Sequence, residues 1–311
     1  MKALVMSVSS KVVQPLAEIL KATPPTQSGM LFSGGVIGSL NLVGFALTAA
    51  LETHKLTDLV GAGSFVVSAI ACAIKSNSWE FVRPTVLNAC ITLWGTRLAG
   101  YLFRRVLKVG GDDRLDSFFP EKGEKWFDPQ KSFYPVKLSS FWIIQAMWGW
   151  LVSAPVTMAN FAPQVGRGAL LGWHGKLFLG TFMGGFLLES VADQQKWEFK
   201  NDPANKGKWI ETGVWKYSRH PNYFGEMVVW WSLFGLSLPL LRGPRQVLLG
   251  LASPAFTTFL LMKVSGVPML EEKYDKIYAN DEDYSEYKKR TNLLVPWFPK
   301  SASANEQKKT K

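Results

Sequence analysis

The feature that most constrains this chain is a series of long apolar runs. Crossing the hydrocarbon core of a bilayer takes roughly 20 apolar residues in a helix. Seven stretches qualify: 29–51, 56–75, 84–103, 138–161, 169–189, 222–241 and 247–264. The buried core of a soluble chain of 311 residues does not ordinarily supply so many runs of that length. The expected fold class is therefore all-α, a polytopic membrane bundle of about seven transmembrane helices.

A net charge of +11 invites a nucleic-acid reading, but its distribution argues against one. With the first run starting on the lumenal side, Lys and Arg number 7 on that side and 24 on the other. That asymmetry is the positive-inside pattern, and it orients the carboxyl terminus toward the cytosol. The basic charge then reflects topology and contact with anionic membrane lipids, with no nucleic acid among the partners. The chain divides into an amino-terminal lumenal segment (1–28), a transmembrane domain (29–297) and a polar tail (298–311) expected to be disordered. Lys308-Lys309-Thr310-Lys311 resembles the dilysine retrieval signal of endoplasmic-reticulum membrane proteins, which sets that membrane as the expected location. Cys72 and Cys90 sit inside apolar runs as small core residues. His54, His174 and His220 are the three histidines, and no metal-ligand spacing occurs.

Chemistry-capable residues collect where the basic loops meet the bilayer. The densest group is Ser218-Arg219-His220-Pro221-Asn222-Tyr223-Phe224-Gly225-Glu226, at the mouth of the sixth run. Polar groups at that depth are costly and usually mark a function. Pro221 suits the first turn of a helix, and Gly225 permits a close backbone approach. Asn222 and Glu226, four apart, share a helix face. Arg97 and Tyr101 do the same, with Arg97 about two turns inside the third run. Glu189, Asp193, Lys196 and Lys200 form one stripe after the fifth run. A third segment carries Glu271-Glu272, Tyr274, Tyr278, Tyr284, Tyr287 and Arg290. Convergence of Arg97, Arg105, Lys108, Lys196, Lys200, Arg219 and Arg290 at one cytosolic mouth calls for an anionic occupant such as a dinucleotide. No Gly-x-Gly-x-x-Gly follows a strand, so the helical bundle itself must hold it.

These motifs carry a resemblance. Asp193-Gln194-Gln195-Lys196, the run from Gly213 to Glu226, and Tyr284-(x2)-Tyr287-(x2)-Arg290-Thr291-(x4)-Pro296 are similar to the steroid 5-alpha-reductase-like family, in the branch related to the steroid and sterol reductases. The resemblance implies a membrane reductase that uses NADPH on a carbon–carbon double bond of a lipophilic substrate drawn from the bilayer. By motif position it places Arg97, Asp193, Lys196, Lys200, Tyr217, Arg219, His220, Asn222, Tyr223, Glu226 and Arg290 with the cofactor. Glu226 and Tyr101 stand as the candidate catalytic groups. Trp94 occupies the place where the steroid enzymes carry a tyrosine that polarises the substrate carbonyl. Two other readings stay open. Arg219-His220-Pro221, Glu271-Glu272 and the later tyrosines also resemble isoprenylcysteine carboxyl methyltransferase, an S-adenosylmethionine enzyme. Trp94 itself is compatible with a non-catalytic lipid-binding protein.

Overall fold

The computed structural model describes residues 25–110, 133–163 and 171–299. Most of the segment 1–28 and the tail from residue 300 on, with its dilysine-like end, lie outside the described residues. Among the described residues every extended element is helical, in keeping with the all-α membrane fold expected. In chain order they are α1 (Pro25–Leu51), α2 (Thr57–Ser76), α3 (Val82–Val109), α4 (Phe133–Asn160) and α5 (Trp173–Asn201). Then come α6 (Pro221–Ser237), α7 (Gly243–Phe259), α8 (Val267–Ile277) and α9 (Glu282–Arg290), with a π-helical turn (Leu260–Val264) joining α7 toward α8. Four stretches are long and apolar enough to cross a membrane: Thr26–Leu51, Thr57–Ser76, Lys137–Asn160 and Gly243–Ile277. The other three expected spans fall on α3, α5 and α6, which are helical but do not meet that criterion.

The chain forms two compact units. The first comprises Met1–Gly172 and Leu236–Ser253; the second comprises Trp173–Gly235 and Pro254–Lys311. The first unit packs around aromatic rings. Phe65 is fully buried, with Trp94 and Trp148 meeting it edge-on at 5.5 Å and 5.1 Å. Glycines on α1 seat further rings: Gly34 lies under Trp150, whose indole N–H donates to the Met30 carbonyl (2.8 Å). Apolar burial adds little between helices that lipid would cover anyway, so hydrogen bonds and close packing hold such bundles together. Gln145 donates to Asn41 (2.9 Å), Thr157 to Ser33 (3.1 Å), and Asn88 and Asn160 exchange amide hydrogen bonds at 2.7 and 3.0 Å. Each pair joins two different helices of this unit, which fixes their register.

The second unit is built on a close crossing of α5 and α6. Gly185 and Gly225 face each other so tightly that a methyl carbon on Gly225 would lie 2.7 Å from the Gly185 carbonyl oxygen. The reciprocal addition at Gly185 would lie 2.8 Å from the Gly225 carbonyl oxygen. The close approach expected at Gly225 is therefore that of the α5 backbone. Thr181 and Ser232 hydroxyls pair at 2.8 Å further along the same crossing. Helix α9 is locally well encoded. Asp281 caps it by accepting from the Tyr284 N–H (3.0 Å), acids occupy its first turn, and Lys288, Lys289 and Arg290 occupy its last.

Candidate active site

The residues Tyr217 to Asn222 are placed from both sides. A strap over 291–297 runs alongside them. Arg219 N–H donates to the Asn292 carbonyl (2.9 Å), and Trp297 N–H donates to the Tyr217 carbonyl (3.2 Å). Ser218, fully buried, donates its hydroxyl to the Leu294 carbonyl (2.7 Å) and accepts from His220 N–H (3.1 Å). On the other side Val214 N–H donates to Gln195 Oε1 (3.0 Å), and the Trp215 indole donates to the Ala192 carbonyl (3.0 Å), docking the turn Gly213–Lys216 onto α5. Pro221 then opens α6, where a missing N–H costs nothing.

At the centre stands Glu271 of α8. Its carboxylate accepts from Arg219 Nη1 (2.6 Å) and His220 Nε2 (2.8 Å), with Lys288 Nζ at 3.3 Å. A carboxylate only accepts, so neutral His220 carries its proton on Nε2. Burial lowers the imidazole pKa from its ordinary value near 6.5; Lys196 and Arg219 push the same way, while the hydrogen bond and charge of Glu271 oppose them. The ring of His220 stacks on Tyr223 at 5.6 Å. Trp209, Tyr284 and Tyr287 form an aromatic wall, with Trp209 centred 5.2 Å from Tyr284 and 6.2 Å from Tyr287. Burial raises the pKa of both tyrosines, so each remains a phenol at neutral pH. Lys196 rests over the Trp215 ring at 5.0 Å. The space these groups enclose is about 30 Å³, room for one water-sized group. Trp209 Nε1, Arg219 Nε and His220 Nδ1 are buried there without a hydrogen-bond partner among the described residues.

A second feature sits on the same turn of α6. Asn222 Nδ2 donates to Asp193 Oδ1 (3.1 Å), and Asp193 is buried on α5. The other end of that amide, Asn222 Oδ1, is buried without a partner among the described residues. Glu226, half-buried, follows one turn deeper along α6. The close α5–α6 crossing at Gly225 is what brings Asp193 and Asn222 within reach.

The structure thus gathers much of the expected set and disperses the rest. Asp193 and Asn222 meet; Lys196, Arg219 and His220 line one cavity, with Tyr223 stacked on the imidazole. Tyr217 contributes its carbonyl to the strap, and its ring meets Phe298 at 6.1 Å. Lys200 is exposed on the last turn of α5. Arg290 is held at the surface by Glu211 (2.6 Å) and does not line the cavity. Arg97 and Tyr101 belong to the first unit, where the guanidinium lies 5.7 Å from the centre of the phenol ring, as their four-residue spacing implies. Glu271 and Trp209 take places in the cavity that the sequence did not assign them. For Glu271 the signal was an acidic pair directly after an apolar run; Trp209 had none.

Over residues 44–291 the chain matches the family described as "Protein of unknown function (DUF1295)", and it belongs to that family. The family is one of the steroid 5-alpha-reductase-like superfamily. Over 175 residues the chain is 28% identical to an uncharacterized protein of Schizosaccharomyces pombe, covering 49% of this chain and 47% of that one. The chain therefore spans about half the length of that curated relative. No solved structure matches it.

Proposed function

We propose that this protein is a membrane reductase of the steroid and sterol reductase branch, which uses NADPH to reduce a carbon–carbon double bond in a steroid- or lipid-like substrate. The observation that carries the reading is the Asp193–Asn222 pair. It leaves one buried amide oxygen open at the start of a helix, where an amide or hydroxyl donor of the cofactor would complete it. At the neighbouring cavity, which has room for one water-sized group, Lys196 and Arg219 accompany the carboxylate Glu271; the open Trp209 and Arg219 nitrogens donate and the open His220 Nδ1 accepts. When bound, NADPH supplies the hydride. Asp193 fixes the Asn222 rotamer, Glu226 is the acid one turn deeper, and Tyr101 is the phenol proposed to donate to the substrate. The expected setting is the endoplasmic-reticulum membrane with a cytosolic carboxyl terminus.

A second reading, methyl transfer from S-adenosylmethionine, draws on one observation. Glu271 bonds both Arg219 and His220, joining the two motifs shared with isoprenylcysteine carboxyl methyltransferase. Thermal protection of the purified full-length protein separates the readings. Saturable protection by NADPH, weakened roughly tenfold by Asn222→Ala, is the expected result; that corresponds to the about 1–3 kcal/mol of an unmet buried partner. Protection by S-adenosylmethionine alone would replace the reductase with the methyltransferase, and protection by neither ligand would refute both.

A further inference from the structure

Trp209 is packed but not bonded. Its ring lies among those of Tyr278, Tyr284 and Tyr287 at 5.1, 5.2 and 6.2 Å. That packing fixes where the indole sits and gives its N–H nothing to bond. Nε1 is buried without a hydrogen-bond partner among the described residues, and so are Arg219 Nε and His220 Nδ1. All three residues line the same cavity of the second unit. His220 is only 2% exposed, so its second ring nitrogen cannot turn to bulk solvent. Buried polar atoms are met by a partner in nearly every folded protein, which makes three open ones around one small space a specification for a guest.

The chemistry of the three atoms selects it. Trp209 Nε1 and Arg219 Nε carry hydrogens and only donate. His220 donates from Nε2 to Glu271 (2.8 Å), so in the neutral ring Nδ1 only accepts. Burial favours that neutral ring; Lys196 and Arg219 act the same way, against Glu271. The guest must therefore accept twice and donate at least once. A cation cannot accept. A simple anion cannot donate, and it would face the Nδ1 lone pair. Water does both, and about three hydrogen bonds is the usual number for a buried water. The cavity, about 30 Å³, matches the volume one water takes in the liquid and is too small for a phosphate group. The carboxylate of Glu271 is already engaged by His220, by Arg219 Nη1 (2.6 Å) and by Lys288 (3.3 Å).

We propose that Trp209, Arg219 and His220 hold one buried water, which accepts from the two N–H groups and donates to His220 Nδ1, and that Trp209 is a positioning residue acting on His220 through it. The water ties the connector ahead of the Gly213–Lys216 turn to the start of α6 and, through His220, to Glu271 on α8. Both imidazole nitrogens are then met, and the ring is held in one tautomer and one orientation. Arg219 and His220 accordingly position the entrance to α6 and leave this cavity to water, not to a cofactor phosphate. The proposal does not rest on the reductase reading, which the Asp193–Asn222 pair carries.

Solid-state magnetic resonance of the full-length protein in lipid bilayers, with isotope-labelled histidine, tests this. The chain has three histidines, and His220→Gln assigns the resonance. In the parent protein at neutral pH, His220 Nδ1 should be unprotonated and should show a cross-peak to a water proton. Trp209→Phe keeps an aromatic ring in the packing and removes the N–H. It should lose the water cross-peak while the Nε2–H tautomer, held by Glu271, persists. Leu270→Phe fills the cavity from its lining and should lose the same cross-peak, so the test stands if one variant fails to fold. Absence of the cross-peak in the parent protein, or its survival in either folded variant, would overturn the proposal. A protonated Nδ1, or a His220 resonance that shifts on replacing chloride with bromide, would overturn it in favour of an anion. Thermal protection by NADPH is a separate readout: its failure with the cross-peak intact would count against the reductase reading alone.

Discussion

Gly225→Ala probes the element on which the candidate site depends. The added methyl would meet the Gly185 carbonyl oxygen at 2.7 Å, the Glu189 amide nitrogen at 2.8 Å and the Glu189 Cβ at 2.9 Å. Ordinary contact begins near 3.4 Å, so α5 and α6 would have to separate by about 0.7 Å. Two of the three opposing atoms are backbone, so no side chain can turn away to relieve the clash. Overpacking of this kind costs about 1–3 kcal/mol, and backbone opposition puts this site in the upper part of that range. Alanine recovers about 0.5–1 kcal/mol over glycine inside a helix, leaving a net loss of about 1–2 kcal/mol. Gly184→Ala is the internal control. It lies on the same helix as Gly185 with nothing within 4 Å of the added carbon, so it should be neutral or slightly stabilising. Thermal unfolding of the detergent-solubilised variants, followed by size-exclusion recovery, reads the difference. Because Asn222 and Asp193 span the same crossing, Gly225→Ala should also weaken NADPH protection per folded molecule. Equal stability of Gly225→Ala and Gly184→Ala would refute the close-crossing argument.

Glu271→Ala should destabilise the second unit by about 2–3 kcal/mol; side-chain exposures of 13% at Arg219 and 18% at Glu271 place the loss below that of a fully buried pair. Chemical denaturation would show it, and a loss under about 0.5 kcal/mol would mean the pair is solvent-screened. Ser218→Ala removes two hydrogen bonds at a fully buried position, so chymotrypsin should cleave near Trp297 and Phe298 faster than in the parent protein. The lowered pKa of His220 sets a pH dependence. The unfolded chain takes up this proton more readily, so the contribution is complete above about pH 6.5 and is lost as pH falls toward the folded value. The slope from this one group is at most about 1.4 kcal/mol per pH unit. Comparing unfolding at pH 7.5 and 5.5 with that of His220→Gln checks it; an identical pH response in the two proteins would remove His220 as the source.

Some of the candidate site was legible because it is local. Four-residue spacing alone puts Arg97 over Tyr101 and Glu226 below Asn222. Pro221 marks the start of α6. The seven apolar runs identified the membrane class, though length and composition sustain four of them as spans, because the charge and limited apolar length of α3, α5 and α6 blur that signal. Basic charge was less instructive. A count of cations predicts an anion site but cannot say which of them a protein carboxylate already holds, and Arg290 proved to be taken by Glu211 at the surface.

What the sequence determined by itself is therefore the membrane class, the start of α6 and the residue pairs one turn apart. All of these follow from the period of a helix and the cost of polar groups in lipid. Tertiary structure alone decided that Glu271, some fifty residues beyond His220, is that histidine's partner, and that Trp209 walls the same cavity. It also decided that Asp193 fixes Asn222 across the Gly185–Gly225 crossing. Such contacts depend on how far two helix backbones can approach, and that distance is set by the absence of a Cβ on each, jointly, rather than by either segment read alone.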